Sequence, residues 1–427
     1  MTRLSRIHPY PGMIADDLAI ELARSYVRHG DRVLDPFCGT GRTLMASAQQ
    51  GAHAVGVDMN PLAKLLVAAK AATPSIAILR RLAEDLAIAS RQTMQIPVYD
   101  FEQGRKVSWF SRKAKRELSL LIFVLNQRQL RTQELLLVAS ILSATAREVS
   151  YCRNDQWKIH RMPPSERSVF KKSPFKAFLN RLNHTINDLR SSGPLRGSCK
   201  ALLGDSRDLN AVLRNGLEHR HFDLIFSSPP YGDSKTTVQY GGVSSLCLGV
   251  LKHLKKLELG SQGSLSIDHS CLGGILKPVM NFEQTTSRNL RKYWSGDTEN
   301  RMRRRVNSYL VDLSECCNRM VSALKVKGMV ILVVARRTVG GCKLKLDRYL
   351  VDEMQNLGCV CHRVKKRRIS GKLTPYVIHA RGNSGSRDLS NKYRVATMRE
   401  EYVLFFKKIR SFRSNLIRPS ILNKLPR

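Results

Sequence analysis

Phe222-Asp-Leu-Ile-Phe-Ser-Ser-Pro-Pro-Tyr231 is an apolar run that ends abruptly in a Ser-Pro-Pro-Tyr turn. Far upstream, Val33-Leu-Asp-Pro-Phe-Cys-Gly-Thr-Gly41 is a second apolar run, ending in a Gly-x-Gly loop. Each reads as a buried strand that delivers its chain straight into a tight turn. Working outward from the glycine loop, residues 13–28 have apolar positions at helical spacing, with acids near the start and Arg near the end. Arg32–Asp35 is a short strand, Thr43–Gln50 a helix stopped by Gly51, and His53–Asp58 a second strand. Pro61 opens another helix, to about Ala71. This is a βαβ unit.

Working outward from the proline turn, Ala201-Leu-Leu-Gly-Asp205 precedes it as a strand, and 232–308 follows it as a loop-rich basic stretch. A helix is expected over Val311–Lys325 and a buried strand over Met329–Ala335, from its unbroken apolar run. A helix near 346–357, a basic strand near 359–368 and a last strand, Glu401–Phe406, complete the set. Between the two anchor motifs, Leu118–Leu125 and Leu135–Leu142 belong to a helical, basic block that a minimal sheet does not need.

Strands alternating with helices predict an α/β fold of Rossmann type, with a mostly parallel, seven-stranded kind of sheet and helical and loop insertions. The chain divides into 1–74 (N-terminal segment and cofactor-binding half), 75–195 (helical basic insertion) and 196–240 (catalytic part). There follow 241–308 (loop-rich candidate target-recognition insertion), 309–408 (C-terminal part of the core) and 409–427 (basic tail).

The chain has 427 residues and a formal charge of +38. That excess implies a polyanionic partner, because clustered Lys and Arg neutralise phosphates and release counterions. The ten cysteines are scattered, with no CxxC pair and no zinc-ligand spacing, so no metal is expected. Met1–His8 has no apolar signal core, and no stretch is long enough to span a bilayer. A cytoplasmic protein without membrane partners is the expectation.

The loop Asp35-Pro-Phe37-Cys-Gly39-Thr40-Gly41 lies between a strand and a helix, the context that gives a glycine motif meaning. Gly39 and Gly41 permit a tight turn and close approach to a ligand. The helix after them offers free N–H groups to a carboxylate. Asp58 ends the next strand about seventeen residues on, close to the spacing of a ribose-binding acid. Asp205 is placed either to meet an adenine amino group or to cap a helix. His8-Pro-Tyr-Pro-Gly12 reads either as an ordinary Pro-rich turn or as a lining of the cofactor site.

These motifs resemble the amino-methylating DNA methyltransferases of restriction-modification systems, specifically the cytosine-N4 type. The resemblance rests on His8–Gly12, the Asp35–Gly41 loop, Asp58-Met-Asn-Pro-Leu62, Ser227–Tyr240 and Val333–Val339. It departs from the family at Arg42, where Ser or Thr is usual, and at Ala335-Arg336, where Gly-Asn is common. It implies S-adenosyl-L-methionine as cofactor, held by Asp35, Phe37, Gly39, Thr40, Gly41, Asp58 and Asp205. It implies catalysis by Ser228, Pro229, Pro230 and Tyr231 on a base flipped out of double-stranded DNA, and a possible cognate restriction endonuclease. Ser in the first position of the tetrapeptide points to cytosine N4; Gly-Asp-Ser after the Tyr should shape the base pocket. Carbon-5 methylation needs a Pro-Cys nucleophile, which the chain lacks. Basic regions at 105–116, at Arg301–Arg305 with Lys292 and Trp294, and at Arg363–Arg368 are candidate phosphate contacts. Methylation of adenine N6 in DNA, or of a base amine in RNA, is the alternative activity. An inactive basic binding protein is the alternative class.

Overall fold

The computed structural model describes residues 2–91, 95–102, 107–153, 159–216, 221–233, 239–258, 267–277, 300–339, 342–369, 377–379, 394–396 and 399–409. Lys292, Trp294, Ser234, Arg410–Arg427 and Arg105-Lys106 lie outside these residues, and with them parts of the expected DNA-contact regions and base pocket.

The βαβ unit opens with α1 (Asp16–Tyr26), β1 (Arg32–Asp35), α2 (Arg42–Gln49), β2 (His53–Asp58) and α3 (Pro61–Ala71). A helical block follows: α4 (Ile76–Ala89), α5 (Arg112–Gln127), α6 (Thr132–Val149), α7 (Pro164–Val169) and α8 (Pro174–Ser192). The chain then returns to the sheet through β3 (Ser198–Leu203), a 3₁₀ turn (Ser206–Asp208), α9 (Leu209–Asn215) and β4 (Phe222–Ser227). After β4 come α10 (Tyr240–Leu251), α11 (Ile267–Ser270), α12 (Asn300–Ala323) and β5 (Leu324–Val334). The C-terminal part holds β6 (Arg337–Val339), β7 (Cys342–Leu344), α13 (Leu346–Asn356), β8 (Cys359–Arg368), β9 (Val377–His379), β10 (Arg394–Ala396) and β11 (Glu400–Lys408).

Seven strands form one sheet in the order β3-β2-β1-β4-β5-β11-β8. All neighbours from β3 to β5 pair in parallel, and β11 runs antiparallel to both β5 and β8. The Rossmann-like expectation is met. Alternation along the central strands explains why both faces are covered. Val333, Val403 and Phe405 pack with α1 and α2, whereas Leu332, Val334, Leu404 and Phe406 pack with α12 and α13. Each fully buried side chain of this size contributes roughly 1.5–3 kcal/mol.

A further helical layer lies over α3, centred on α6. Leu137–Arg147 of α6 is buried on every side, as a helix without a polar face must be. Residues 232–308 are less loop-rich than their sequence suggests, because they contain α10. Three glycines and a nearly all-apolar run, buried in this layer, give α10 no amphipathic period to read. Helix α12 likewise starts at Asn300 rather than Val311, since its Arg-rich first turns show no apolar stripe. Among the described residues, no single helix is long and apolar enough to cross a membrane.

Candidate active site

Strands β1 and β4 are adjacent and parallel, with Val33 opposite Leu224 and Leu34 opposite Ile225. Their C-terminal ends therefore release the glycine loop and the proline turn side by side. Strand order reverses here, with β2 and β3 on one side and β5 on the other. In open α/β sheets ligands bind in the crevice at this switch point.

Asp35 holds the two loops together. Its Oδ1 accepts from Ser227 Oγ at 2.6 Å and from the Phe37 amide at 2.9 Å, and its Oδ2 accepts from Thr43 Oγ1. The carboxyl is buried, and burial raises its pKa to about 6, against the pull of those three donors. Its oxygens accept from three protein donors, so Asp35 serves as a strut between the two loops.

Gly39 and Gly41 both have positive φ, +47° and +73°. A Cβ at Gly41 would also come within 2.7 Å of Val67 Cγ2, so any other residue there would have to displace Val67 as well as strain the backbone. The Gly39 amide donates to Asp58 Oδ2 and the Asn60 amide to Asp58 Oδ1, each at 2.9 Å. Asp58 as a residue is intermediate in exposure, and each carboxylate oxygen keeps acceptor capacity. Burial raises its pKa to about 6. Thr40 turns its hydroxyl to Met13 Sδ (3.2 Å), and its carbonyl accepts from the buried Lys70 ammonium at 2.8 Å. Thr40 thus faces the scaffold on both counts. Phe37 is partly buried against the core under α12.

The His8–Gly12 segment is built into the crevice wall. His8 is buried, held by Ser143 Oγ at 2.9 Å, and burial lowers its pKa to about 3. Tyr10 lies beside Gly39 and its OH accepts from Asn60 Nδ2 at 2.9 Å. Asn60 also caps α3 and donates to Ser244 Oγ of α10 at 2.7 Å. Tyr240 stacks obliquely on Tyr10, with ring centroids 6.1 Å apart. Burial raises the Tyr240 pKa, and the nearby Cys271, Asp58 and Tyr231 add to that. One phenol is therefore within electrostatic reach of both halves of the crevice. Sequence reading missed Asn60 and Tyr240 as site residues; Asn-Pro, an N-cap followed by Pro at the first helical position, was the available signal for Asn60.

In the tetrapeptide, Ser228 Oγ donates to Val333 O of β5 at 3.1 Å and lies 3.2 Å from Tyr231 OH. Pro229 is buried, and Ser228, Pro230 and Tyr231 are partly exposed. The Pro230 carbonyl accepts from Tyr309 OH at 2.5 Å. Burial raises the Tyr231 pKa, so its phenol stays protonated.

Asp205 does what its rival reading said. It caps the 3₁₀ turn through the Arg207 amide at 2.9 Å and pairs with the Arg207 guanidinium at 2.5–3.1 Å. Arg207 in turn reaches Asp312, at 3.2 Å. A carboxylate so engaged is poorly placed to read adenine. Arg42 turns from the loop to Ile14 O, at 2.6 Å, which explains how Arg is tolerated there. Arg336 makes a two-pronged pair with Asp347 (2.7 and 2.8 Å) and stacks over Tyr402. In the basic strand β8, Lys365, Lys366 and Arg367 pair with Glu21, Glu400 and Asp17. Charges along this edge strand also protect the sheet edge. Among the described residues no group of three or more His, Cys, Asp or Glu side chains is placed to hold a metal.

The sheet order and the crevice at its switch point define a Rossmann-like α/β fold. A family model described as DNA methylase, of the N6/N4 amino type, matches residues 4–68, the part that contains the glycine loop and Asp58. Type II methyltransferase M.MvaI of Kocuria varians is 27% identical over 401 residues, spanning 87% of this chain and 86% of that protein. M.MjaII of Methanocaldococcus jannaschii is 21% identical over 58% of this chain and 47% of its own length. M.BsoBI of Geobacillus stearothermophilus is 24% identical over 47% and 44%. Together these matches support a DNA methyltransferase of the restriction-modification kind, and they imply S-adenosylmethionine as methyl donor. The crevice fits that donor: a positive-φ glycine loop, a carboxylate ending β2, and the free N–H groups of a helix start.

Proposed function

We propose that the protein methylates the exocyclic N4 of cytosine at specific sites in duplex DNA, as the modification partner of a restriction endonuclease. The observation that carries this reading is the Ser228 hydroxyl, whose proton goes to Val333 O. With its proton committed, Ser228 Oγ presents lone pairs. One meets the Tyr231 phenol, which must then be the donor of that pair; the other is free to accept from an amino group.

Cytosine N4 is a weak nucleophile because its lone pair is delocalised into the ring. Two acceptors, Ser228 Oγ and the Pro229 carbonyl, draw its two N–H hydrogens and localise the pair on nitrogen. Proline fixes φ at 229 and 230, so these acceptors cost little to orient. Tyr231 offers a flat face for a base flipped from the duplex, and flipping is required because the amine is otherwise paired. Gly39, Gly41, the α2 N-terminus and Asp58 would hold the donor, with Tyr10 walling that end. Bound S-adenosylmethionine supplies an electrophilic sulfonium methyl, whose S–C electron pair stays on sulfur when it leaves. Nitrogen then carries one surplus proton, which the two acceptors hold until water takes it. Most of the rate comes from positioning. The charge of +38 suits a DNA partner.

The test is methyl transfer from tritiated S-adenosylmethionine to duplex DNA captured on filters, with structured RNA in parallel. Label on DNA that disappears in Ser228→Ala supports the reading. Label on RNA alone, or equal label with the variant, overturns it.

A further inference from the structure

Two prolines fix φ at 229 and 230, but ψ at Pro230 remains soft. That torsion sets where the Pro230 carbonyl and the Tyr231 backbone point, and hence how the Tyr231 ring faces the pocket. Among the described residues outside the tetrapeptide, a tyrosine side chain acts on this torsion. Tyr309, on the third helical turn of α12, is 1% exposed and donates its hydroxyl to Pro230 O at 2.5 Å.

The tyrosine itself is held in place. A Cβ at Gly273 would come within 2.8 Å of Tyr309 Cβ and 3.1 Å of Asp233 Cβ. The glycine turn therefore packs directly on both the helix and the residue just past the tetrapeptide. Gly273 is itself anchored, its amide donating to Asp312 Oδ2 of α12 at 2.8 Å. Burial raises the Tyr309 pKa well above the ordinary phenol value, so the donor keeps its proton.

We infer that Tyr309 is a positioning residue for the methyl-transfer step: its hydrogen bond turns the Pro230 carbonyl away from the amine pocket and locks the Pro230–Tyr231 peptide, leaving the Pro229 carbonyl and Ser228 as the acceptors. This rests on the proposed role of the tetrapeptide in methyl transfer. It adds a residue of α12 to the parts that set the turnover rate, although Tyr309 touches neither donor nor base.

Tyr309→Phe removes only the hydroxyl. Tyr349→Phe is its comparator: Tyr349 is also buried and donates to the carbonyl of Leu310, next to Tyr309 on the same helix, at 2.9 Å. Both variants and the wild type are assayed in single turnover on PCR-amplified, unmethylated genomic DNA with tritiated S-adenosylmethionine. Donor affinity is measured by calorimetry, DNA affinity by filter binding and the thermal midpoint by scanning calorimetry. The expected result is a transfer rate about tenfold lower for Tyr309→Phe, the effect of one lost oriented hydrogen bond. Its donor and DNA affinities should stay within about twofold of wild type, and Tyr349→Phe should transfer at close to the wild-type rate while sharing any loss of thermal midpoint. An unchanged rate in Tyr309→Phe, or an equal fall in Tyr349→Phe, overturns the positioning role. Absence of transfer by the wild type would instead overturn the methyltransferase reading beneath it.

Discussion

Ser227 Oγ donates to Asp35 Oδ1 at 2.6 Å, across 192 residues of chain. This one bond ties the proline turn after β4 to the glycine loop after β1. Ser227 is fully buried, so nothing in solvent replaces it. Ser227→Ala should lower stability by about 1–3 kcal/mol and reduce both donor affinity and turnover, because both loops lose their common anchor. Thermal unfolding with and without S-adenosylmethionine measures this. A variant as stable and active as wild type would show that strand pairing alone sets the crevice.

The same carboxyl gives a pH signature. Burial raises the Asp35 pKa to about 6, from an ordinary 3.8. An acid whose folded pKa is raised binds its proton more tightly folded than unfolded. Its stabilising contribution is therefore full below the unfolded value and is lost as pH rises through about 6. Relative to Asp35→Asn, the wild type should lose stability between about pH 4 and pH 7. Denaturant midpoints of the two proteins across that range check the sign; parallel curves would contradict it.

Under the proposed mechanism, in which Tyr231 offers its ring to the base and not to the donor, Tyr231→Ala should abolish turnover while donor affinity stays within a few-fold. Calorimetric titration alongside the transfer assay separates these outcomes. Loss of donor binding would mean that the ring closes the cofactor side of the crevice.

Asp58 and Asp205 should part company. Asp58 keeps acceptor capacity at the end of β2, so Asp58→Asn should weaken donor binding at least tenfold, about 1.4 kcal/mol for a charge-assisted contact. Asp205 is engaged by Arg207. Asp205→Asn should reduce stability by about 0.5–2 kcal/mol, as loss of a cap does, with donor affinity within about threefold. The reverse ranking would restore Asp205 as an adenine contact.

The parts of this fold legible from sequence were those with a local signature. Strands β1, β2, β4, β5 and β11 could be read from apolar runs or flanking turns, and α3 from Pro61 and its Ala- and Leu-rich run. The glycine loop and the proline turn could be paired before any geometry, because each needs a strand behind it. What stayed hidden was set by long-range contact. Whether Asp35 would serve a ligand or a neighbouring loop depends on Ser227, a distant residue. Asp205 could be read two ways until Arg207 was seen folding back on it. Tyr10, Asn60 and Tyr240 converge from three separate segments, and no spacing joins them. Helix α10 is apolar on all sides, so its burial removed the very pattern that would have announced it. The pairing of the β8 charges with acids on α1 and β11 is likewise set by the fold and not by spacing.

The central claim is that the Ser228-Pro229-Pro230-Tyr231 turn serves a cytosine amine. It is tested most directly by incubating the protein with S-adenosylmethionine and unmethylated duplex DNA, digesting the DNA to nucleosides and separating them by liquid chromatography with mass detection. The account predicts N4-methyldeoxycytidine, resolved by retention from its 5-methyl isomer. N6-methyldeoxyadenosine in its place, or no methylated nucleoside at all, would contradict it.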